Sequence, residues 1–138
     1  MGGTVMAYGS VLTDVVQSST AGAAPTFKDG NGTETGTLCR AWVQFGGGSS
    51  VTAGAIQGQF NVSSITVNGT GDYTINFTKA MPDATYSFIG TGSDTPTISS
   101  YIAAYYGYVT ASSLRVQNLT TNSNTLASRP LISIAIFR

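Results

Sequence analysis

Residues 65–78 read Ile65-Thr66-Val67-Asn68-Gly69-Thr70-Gly71-Asp72-Tyr73-Thr74-Ile75-Asn76-Phe77-Thr78, and this stretch contains the clearest hairpin signal of the chain. Its centre is rich in glycine and asparagine, which accept the positive φ angles that tight connections between strands require. Tyr73, Ile75 and Phe77 fall on one face of the second run, because successive side chains on a strand point to opposite faces. The stretch therefore predicts a β-hairpin that places these three residues in a core.

Alternating apolar and polar residues recur along much of the chain and predict further strands. These lie at residues 38–45, 53–62, 86–91, 98–109, 114–117 and 131–137. Glycine, proline and other turn-forming residues separate most of them. About eight short strands joined in this way predict an all-β fold, an antiparallel β-sandwich of jelly-roll-like form.

The first 37 residues differ from the rest, because their apolar residues are scattered and show little alternation. Asp29-Gly30-Asn31-Gly32 is the clearest turn signal among them. We expect residues 1–37 to form an extended N-terminal arm with at most one short strand, and residues 38–138 to form a β-sandwich knob. Such an arm buries little surface alone, so it is expected to pack against a neighbouring molecule.

The composition narrows the partners that the chain can have. Only 9% of its 138 residues are charged, and six basic residues balance six acidic ones. A neutral chain lacks the basic patch that would attract a nucleic acid or an anionic membrane, so neither is expected as a partner. The sequence shows no signal-peptide pattern and no apolar run long enough to insert in a membrane. We expect it to be made in a cytoplasm.

The side chains that most enzymes use are scarce. The chain has no histidine and one cysteine, which excludes Ser-His-Asp and Cys-His nucleophiles, imidazole metal ligands and a thiolate zinc cluster. Glycoside hydrolysis needs two carboxyl groups facing each other at about 5–9 Å. The turn aspartates Asp29, Asp72 and Asp83 are instead expected to cap their own backbone. We therefore predict a non-enzymatic protein without metal or cofactor.

Two other features carry expectations about structure. Cys39 lies on an apolar alternating run, which predicts a buried, unreactive thiol. Gly46-Gly47-Gly48 interrupts the strands and is interpreted as a flexible link, because three glycines in a row have little conformational restriction.

Tyrosines concentrate between residues 101 and 108 and are the candidate contact residues of the chain. Strand alternation predicts Tyr106 and Tyr108 on one face, and Tyr101 and Tyr105 on the other. A tyrosine ring with its hydroxyl suits both a subunit interface and stacking on a sugar, and both alternatives stay open. The candidate residues for contact with a glycan or a partner protein are Tyr105, Tyr106, Tyr108, Asp94 and Thr95.

Several blocks of the sequence occur in the order of a known module. They are Leu38-Cys39-Arg40-Ala41-Trp42-Val43-Gln44-Phe45, Phe60-Asn61-Val62-Ser63-Ser64-Ile65, residues 68–78, Ala80-Met81-Pro82-Asp83-Ala84-Thr85-Tyr86 and Ile134-Ala135-Ile136-Phe137-Arg138. Over residues 38–138 the chain resembles the C-terminal knob module of tail-fibre and other virion surface proteins in phages of cyanobacteria and marine bacteria. Residues 46–58 and 91–100 fit that module less well.

The resemblance implies a homotrimeric β-sandwich knob on the exterior of a bacteriophage particle, without enzyme activity. It implies that Arg40, Trp42, Asn76 and Asp83 build the framework and do not form a site. The knob is expected to be a tail-fibre tip that attaches to a host surface glycan, with residues 1–37 bound to tail proteins. The alternative is a capsid cement or decoration protein bound to the major capsid protein, and a glycan depolymerase is a third, less favoured hypothesis.

Overall fold

The computed structural model describes residues 15–17, 19, 27–36, 38–48, 52–93 and 99–138, and all regular elements in these ranges are β-strands. The chain divides into two units, Met1–Gly36 and Thr37–Arg138. The second unit contains an eight-stranded antiparallel sheet, which we call the barrel. Most of the predicted arm, including Val5, Val11 and Leu12, lies outside the described residues.

The first unit contains one short hairpin. Strands β1 (Phe27–Lys28) and β2 (Glu34–Gly36) pair antiparallel around the predicted turn. The Asp29 carboxylate accepts hydrogen bonds from the backbone N–H groups of Asn31 and Thr33, both at 2.9 Å. Asp29 therefore caps its own turn, as aspartate at this position commonly does.

The barrel has eight strands, as the alternation predicts. They are β3 (Cys39–Phe45), β4 (Ile56–Phe60), β5 (Val62–Gly69), β6 (Asp72–Phe77), β7 (Ser87–Ser93), β8 (Ser99–Val109), β9 (Ser113–Thr120) and β10 (Leu131–Phe137). All pairs are antiparallel, in the order β4-β3-β10-β7-β8-β9-β6-β5. The edge strands β4 and β5 follow each other in sequence, and both β3 and β4 contact β5. The sheet thus curls into a nearly closed, sandwich-like barrel, and the all-β antiparallel prediction is confirmed.

The core is made by the inward-facing residues of both halves of the barrel. Tyr73, Ile75 and Phe77 are all buried, which confirms the face predicted for the β6 strand. The rings of Phe45 and Tyr73 meet edge to face, with centroids 5.2 Å apart. The other buried apolar residues are Ala41, Val43, Val62, Met81, Leu114, Val116, Ile132, Ile134 and Ile136. This interior joins strands that are distant in sequence.

The glycine triplet at residues 46–48 is an anchor, and its interpretation as a flexible link is wrong. Gly46 and Gly47 are buried. The Tyr73 hydroxyl donates to the Gly47 carbonyl at 2.5 Å, and the Gly47 N–H donates to the Arg129 carbonyl at 2.9 Å. Burial raises the pKa of the Tyr73 hydroxyl, so this group remains a donor. The triplet ties the end of β3 to the hairpin and to the segment before β10.

Asn61 turns the chain from β4 into β5, within the run 53–62 that alternation assigns to one strand. Its φ is 55°, a left-handed conformation that asparagine tolerates better than most residues. Its side-chain amide donates to the carbonyls of Arg40 and Lys79, and its oxygen accepts from the Lys79 N–H. One side chain therefore holds the corner where the two edges of the sheet meet.

Replacing Asn61 with glycine is expected to lower the free energy of unfolding by about 1–3 kcal/mol, since it removes three hydrogen bonds. Glycine retains the positive φ, so the substitution separates the side chain from the backbone conformation. Urea denaturation at equal protein concentrations measures the effect. A change below about 0.5 kcal/mol, typical of surface sites, would mean that the corner does not depend on these bonds.

The tyrosine-rich strand β8 departs from simple alternation. Ala104 pairs with Val116 and Val109 pairs with Leu114, so β8 has three extra residues over this stretch. Gly107 lies within it, with a φ of 88°. The assignment of Tyr101 and Tyr108 to opposite faces is therefore not supported, because the register shift interrupts the period of two. Both side chains are exposed.

Candidate functional site

A groove of about 460 Å³ lies on the outer surface of β4, β3, β10 and β7. We call it the aromatic groove. Its residues form two rows, because strand partners in register share a face. The apolar row contains Trp42, Ala135 and Ile89, and continues on β4 to Phe60. The polar row contains Gly58, Gln44, Ser133 and Thr91. Val43, Gly90 and Ile134 complete the lining.

Trp42 is the principal side chain of the apolar row, although the resemblance assigns it to the framework of the fold. It is 42% exposed, and its strand partner Phe60 is 55% exposed. A Cβ atom on Gly58 would lie 3.3 Å from two atoms of the Trp42 ring, so the indole rests directly against this glycine. On the far wall Ile89 is 63% exposed, and the small Ala135 lies between the two larger residues. The row is a shallow slot with an aromatic wall.

The polar row supplies donors and acceptors without charge. The Gln44 amide donates to the Ser133 hydroxyl at 3.4 Å, a long and therefore weak hydrogen bond. Thr91 pairs with Ser133 from the opposite side, on β7. None of the residues that line the groove carries a charge. The groove therefore offers one aromatic face, one aliphatic wall and a rim of hydroxyl and amide groups.

The residues predicted as contacts from the sequence lie elsewhere or outside the description. Asp94, Thr95 and the side chains of Tyr105 and Tyr106 are not among the described residues. Tyr108 is on β8, 50% exposed, and the Arg115 guanidinium carbon lies 4.9 Å from its ring centroid. Tyr108 is thus not part of the aromatic groove.

Asp72 braces the sheet and does not cap its turn, contrary to the prediction. Both of its oxygens accept from Arg115 across β6 and β9, at 2.9 and 2.8 Å, and one also accepts from Asn68 at 3.2 Å. Asp72 begins β6 and pairs in register with Gln117, so its side chain lies on the same face of the sheet as that of Arg115, two residues from Gln117. The Arg115 guanidinium holds the pKa of the Asp72 carboxyl below its usual value, although burial opposes this shift.

Asp83 combines the predicted cap with an ion pair. Its carboxylate accepts from the backbone N–H and the hydroxyl of Thr85, at 2.7 and 2.5 Å. It also accepts two hydrogen bonds from Arg138, at 3.2 and 2.6 Å. Arg138 and Thr85 lower the pKa of this carboxyl. Asp72 and Asp83 therefore each form an ion pair with an arginine, an arrangement that links distant parts of the barrel.

The Asp72–Arg115 pair predicts a loss of stability in acid. Because the folded-state pKa of Asp72 is depressed, the unfolded chain binds the proton first as the pH falls, and stability decreases below about pH 5. We expect Asp72→Asn to flatten this decrease when thermal unfolding is followed between neutral pH and pH 3. Asp83→Asn is the control with a smaller expected effect, because both side chains of its pair are 42% exposed. An unchanged acid limb in Asp72→Asn would contradict the assignment.

Cys39 is only partly buried, so the prediction of a buried thiol is wrong. Its thiol donates to the Ala41 carbonyl at 3.3 Å. The β3–β10 register shifts where Cys39 pairs with Phe137, so the alternation that buries Ala41 and Val43 is not continued to the end of the strand.

No helix in the described part of the chain is long and apolar enough to cross a membrane. Within the same residues, no three His, Cys, Asp or Glu side chains are grouped so that they could hold a metal ion. Comparisons with protein-family models, with curated proteins and with solved structures gave no match to this chain. The interpretation of the aromatic groove as a candidate site therefore depends on its geometry alone.

Proposed function

We propose that this chain is a non-enzymatic structural protein on the exterior of a bacteriophage particle, a homotrimeric knob that serves as a tail-fibre tip. The observation that carries the proposal is the aromatic groove, a neutral and exposed recognition surface on paired strands. Binding sites on a rigid framework keep their geometry without a ligand, which reduces the entropy lost on attachment. Residues 1–37 attach the knob to other tail proteins in this proposal.

The distribution of charge supports a role in recognition. Strands β4, β5, β7, β8 and β10 contain no charged residue, and β3 contains only Arg40. Asp72 and Asp83 are held by arginines. A surface of this composition binds through stacking, apolar contact and neutral hydrogen bonds. Its binding should depend little on salt, in contrast to a contact between charged surfaces.

Exposed apolar side chains outside the groove support assembly into a homotrimer. Leu38, Val67 and Phe137 are between 37% and 45% exposed. Subunit interfaces of obligate oligomers are extensive and apolar. We expect light scattering at micromolar concentration to give three times the mass of the chain. A folded monomer with native circular dichroism at that concentration would contradict the trimer.

Electron microscopy of particles labelled with an antibody against the chain tests the location. Label at the distal end of the tail fibres is the expected result. Label spread over the head in hundreds of copies would instead indicate a capsid cement protein and would refute the fibre-tip assignment.

A competition experiment supplies the second readout. Purified knob added in excess should reduce the adsorption of particles to the cells they infect.

A further inference from the structure

We infer that the aromatic groove binds a neutral saccharide, with the Trp42 indole as the surface on which the sugar ring stacks. This inference rests on the proposed role in attachment and names the ligand class of the same surface. The tyrosine segment of β8 is a different part of the barrel.

The dimensions of the slot suit one or two sugar rings. Trp42 and Ile89 both pair with Ala135, from opposite sides, so two strand spacings, roughly 9–10 Å, separate their backbones. Only the methyl group of Ala135 lies between them in this row. The volume of about 460 Å³ is within the range of small-molecule sites, about 300–1,000 Å³.

The two rows match the two kinds of surface that a sugar presents. A pyranose has an apolar C–H face, which stacks on aromatic rings, and a rim of hydroxyl groups. The polar row lies one pleat, roughly 7 Å, from the apolar row, and offers the Gln44 amide and the hydroxyls of Ser133 and Thr91. These groups can both donate hydrogen bonds to the sugar hydroxyls and accept hydrogen bonds from them.

Other ligand classes fit the same groove less well. A purely apolar segment would cover the Gln44 amide and the Ser133 and Thr91 hydroxyls without offering them a hydrogen-bond partner, which is unfavourable. A phosphate or carboxylate would find no cationic side chain among the residues that line the groove. The uncharged lining thus favours a neutral ligand with several hydroxyl groups.

The test uses the full chain and its own fluorescence. Trp42 is the only tryptophan of the protein, so its emission reports on the groove directly. Maltose, cellobiose and lactose are titrated as probes, with glucose 6-phosphate as a charged comparison. We expect at least one of the neutral disaccharides to give a saturable change of emission in the millimolar range, and the phosphate to bind at least tenfold more weakly.

Two substitutions test whether the sugar binds in the groove, and neither of them shortens a core side chain. Ala135→Leu fills the slot between Trp42 and Ile89 and should weaken sugar binding at least tenfold. Ser87→Leu is the matched control, because Ser87 is exposed on β7 and pairs with Phe137 beyond the groove. It should leave sugar binding unchanged. Isothermal titration calorimetry provides a readout that does not depend on the tryptophan.

Three outcomes would overturn the inference. One is the absence of any sugar response while the knob still competes for adsorption to cells; in that case the attachment role stands and the saccharide assignment fails. A second is a change of oligomeric mass caused by Ala135→Leu, which would make the groove an interface between copies of the chain. The third is a sugar response that survives Ala135→Leu and disappears in Tyr108→Ala. Failure of the knob to compete for adsorption would refute the attachment role itself.

Discussion

Replacing Phe77 with alanine is expected to lower the free energy of unfolding by about 3–5 kcal/mol, because a buried ring leaves a cavity that the core cannot fill. Phe77 is 8% exposed and is the last residue of β6, two positions after the buried Ile75. Its ring meets that of Tyr86 edge to face, with centroids 5.9 Å apart. Burial raises the pKa of Tyr86 to about 12, so its hydroxyl continues to donate to the carbonyls of Thr110 and Ser113.

Phe60→Ala is the matched control for this measurement. The same chemical change is made on β4, where the ring is 55% exposed, and it should cost less than about 1 kcal/mol. Guanidinium denaturation of both variants at one protein concentration gives the comparison, since the proposed trimer would link stability to concentration. Equal losses in the two variants would mean that the inner and outer faces of the sheet are assigned incorrectly.

Gly71→Ala is expected to destabilise the barrel by at least about 3 kcal/mol, because it combines a strained backbone with overpacking. Gly71 has a φ of 67° in the turn between β5 and β6. A Cβ atom there would lie 2.6 Å from the Ala127 nitrogen and 2.9 Å from the carbonyl oxygens of Ala127 and Asn118. These are backbone atoms, and the Asn118 N–H already donates to the Gly71 carbonyl at 2.8 Å.

Gly69→Ala tests the same turn without the close contact. A Cβ atom on Gly69 would meet nothing within 4 Å, so the free energy of unfolding should change by about 0.5 kcal/mol or less. Thermal unfolding followed by circular dichroism compares the two variants. A tolerated alanine at residue 71 would show that the hairpin turn does not pack against the segment around Ala127.

Local patterns were sufficient to predict the strands. The β5–β6 hairpin follows from the glycines at its centre and from the alternation of Tyr73, Ile75 and Phe77, and the structure has both. The same signal identifies β3 and β10. It identifies β8 but does not predict which face each β8 side chain occupies, since a register shift between Ala104 and Val109 interrupts the period of two. It also extends the run that contains β4 through the corner to Val62, because a corner at one asparagine does not interrupt the apolar pattern.

The groove could not be predicted in the same way, because its walls come from strands that are far apart in the sequence. Trp42 is on β3, Ile89 on β7 and Ala135 on β10. Alternation places Trp42 opposite the buried Ala41 and Val43, which is a usable signal that a tryptophan faces outward. Which residues surround it depends on strand order, and no short-range pattern specifies strand order. The tyrosines between residues 101 and 108, in contrast, are neighbours in the chain, so the sequence alone shows them as a cluster.

The position of β10 determines when the sheet can close during synthesis on the ribosome. β10 lies between β3 and β7, so the two halves of the sheet share no hydrogen-bonded ladder on that side until residues 131–137 have been synthesised and have emerged. Until then β3 and β7 each expose an unpaired edge, and neither edge carries an acidic residue to repel a neighbouring chain. Nascent chains on one polysome are therefore exposed to mutual strand pairing until β10 has emerged. Slow initiation, which spaces the ribosomes, would favour a high yield of folded protein.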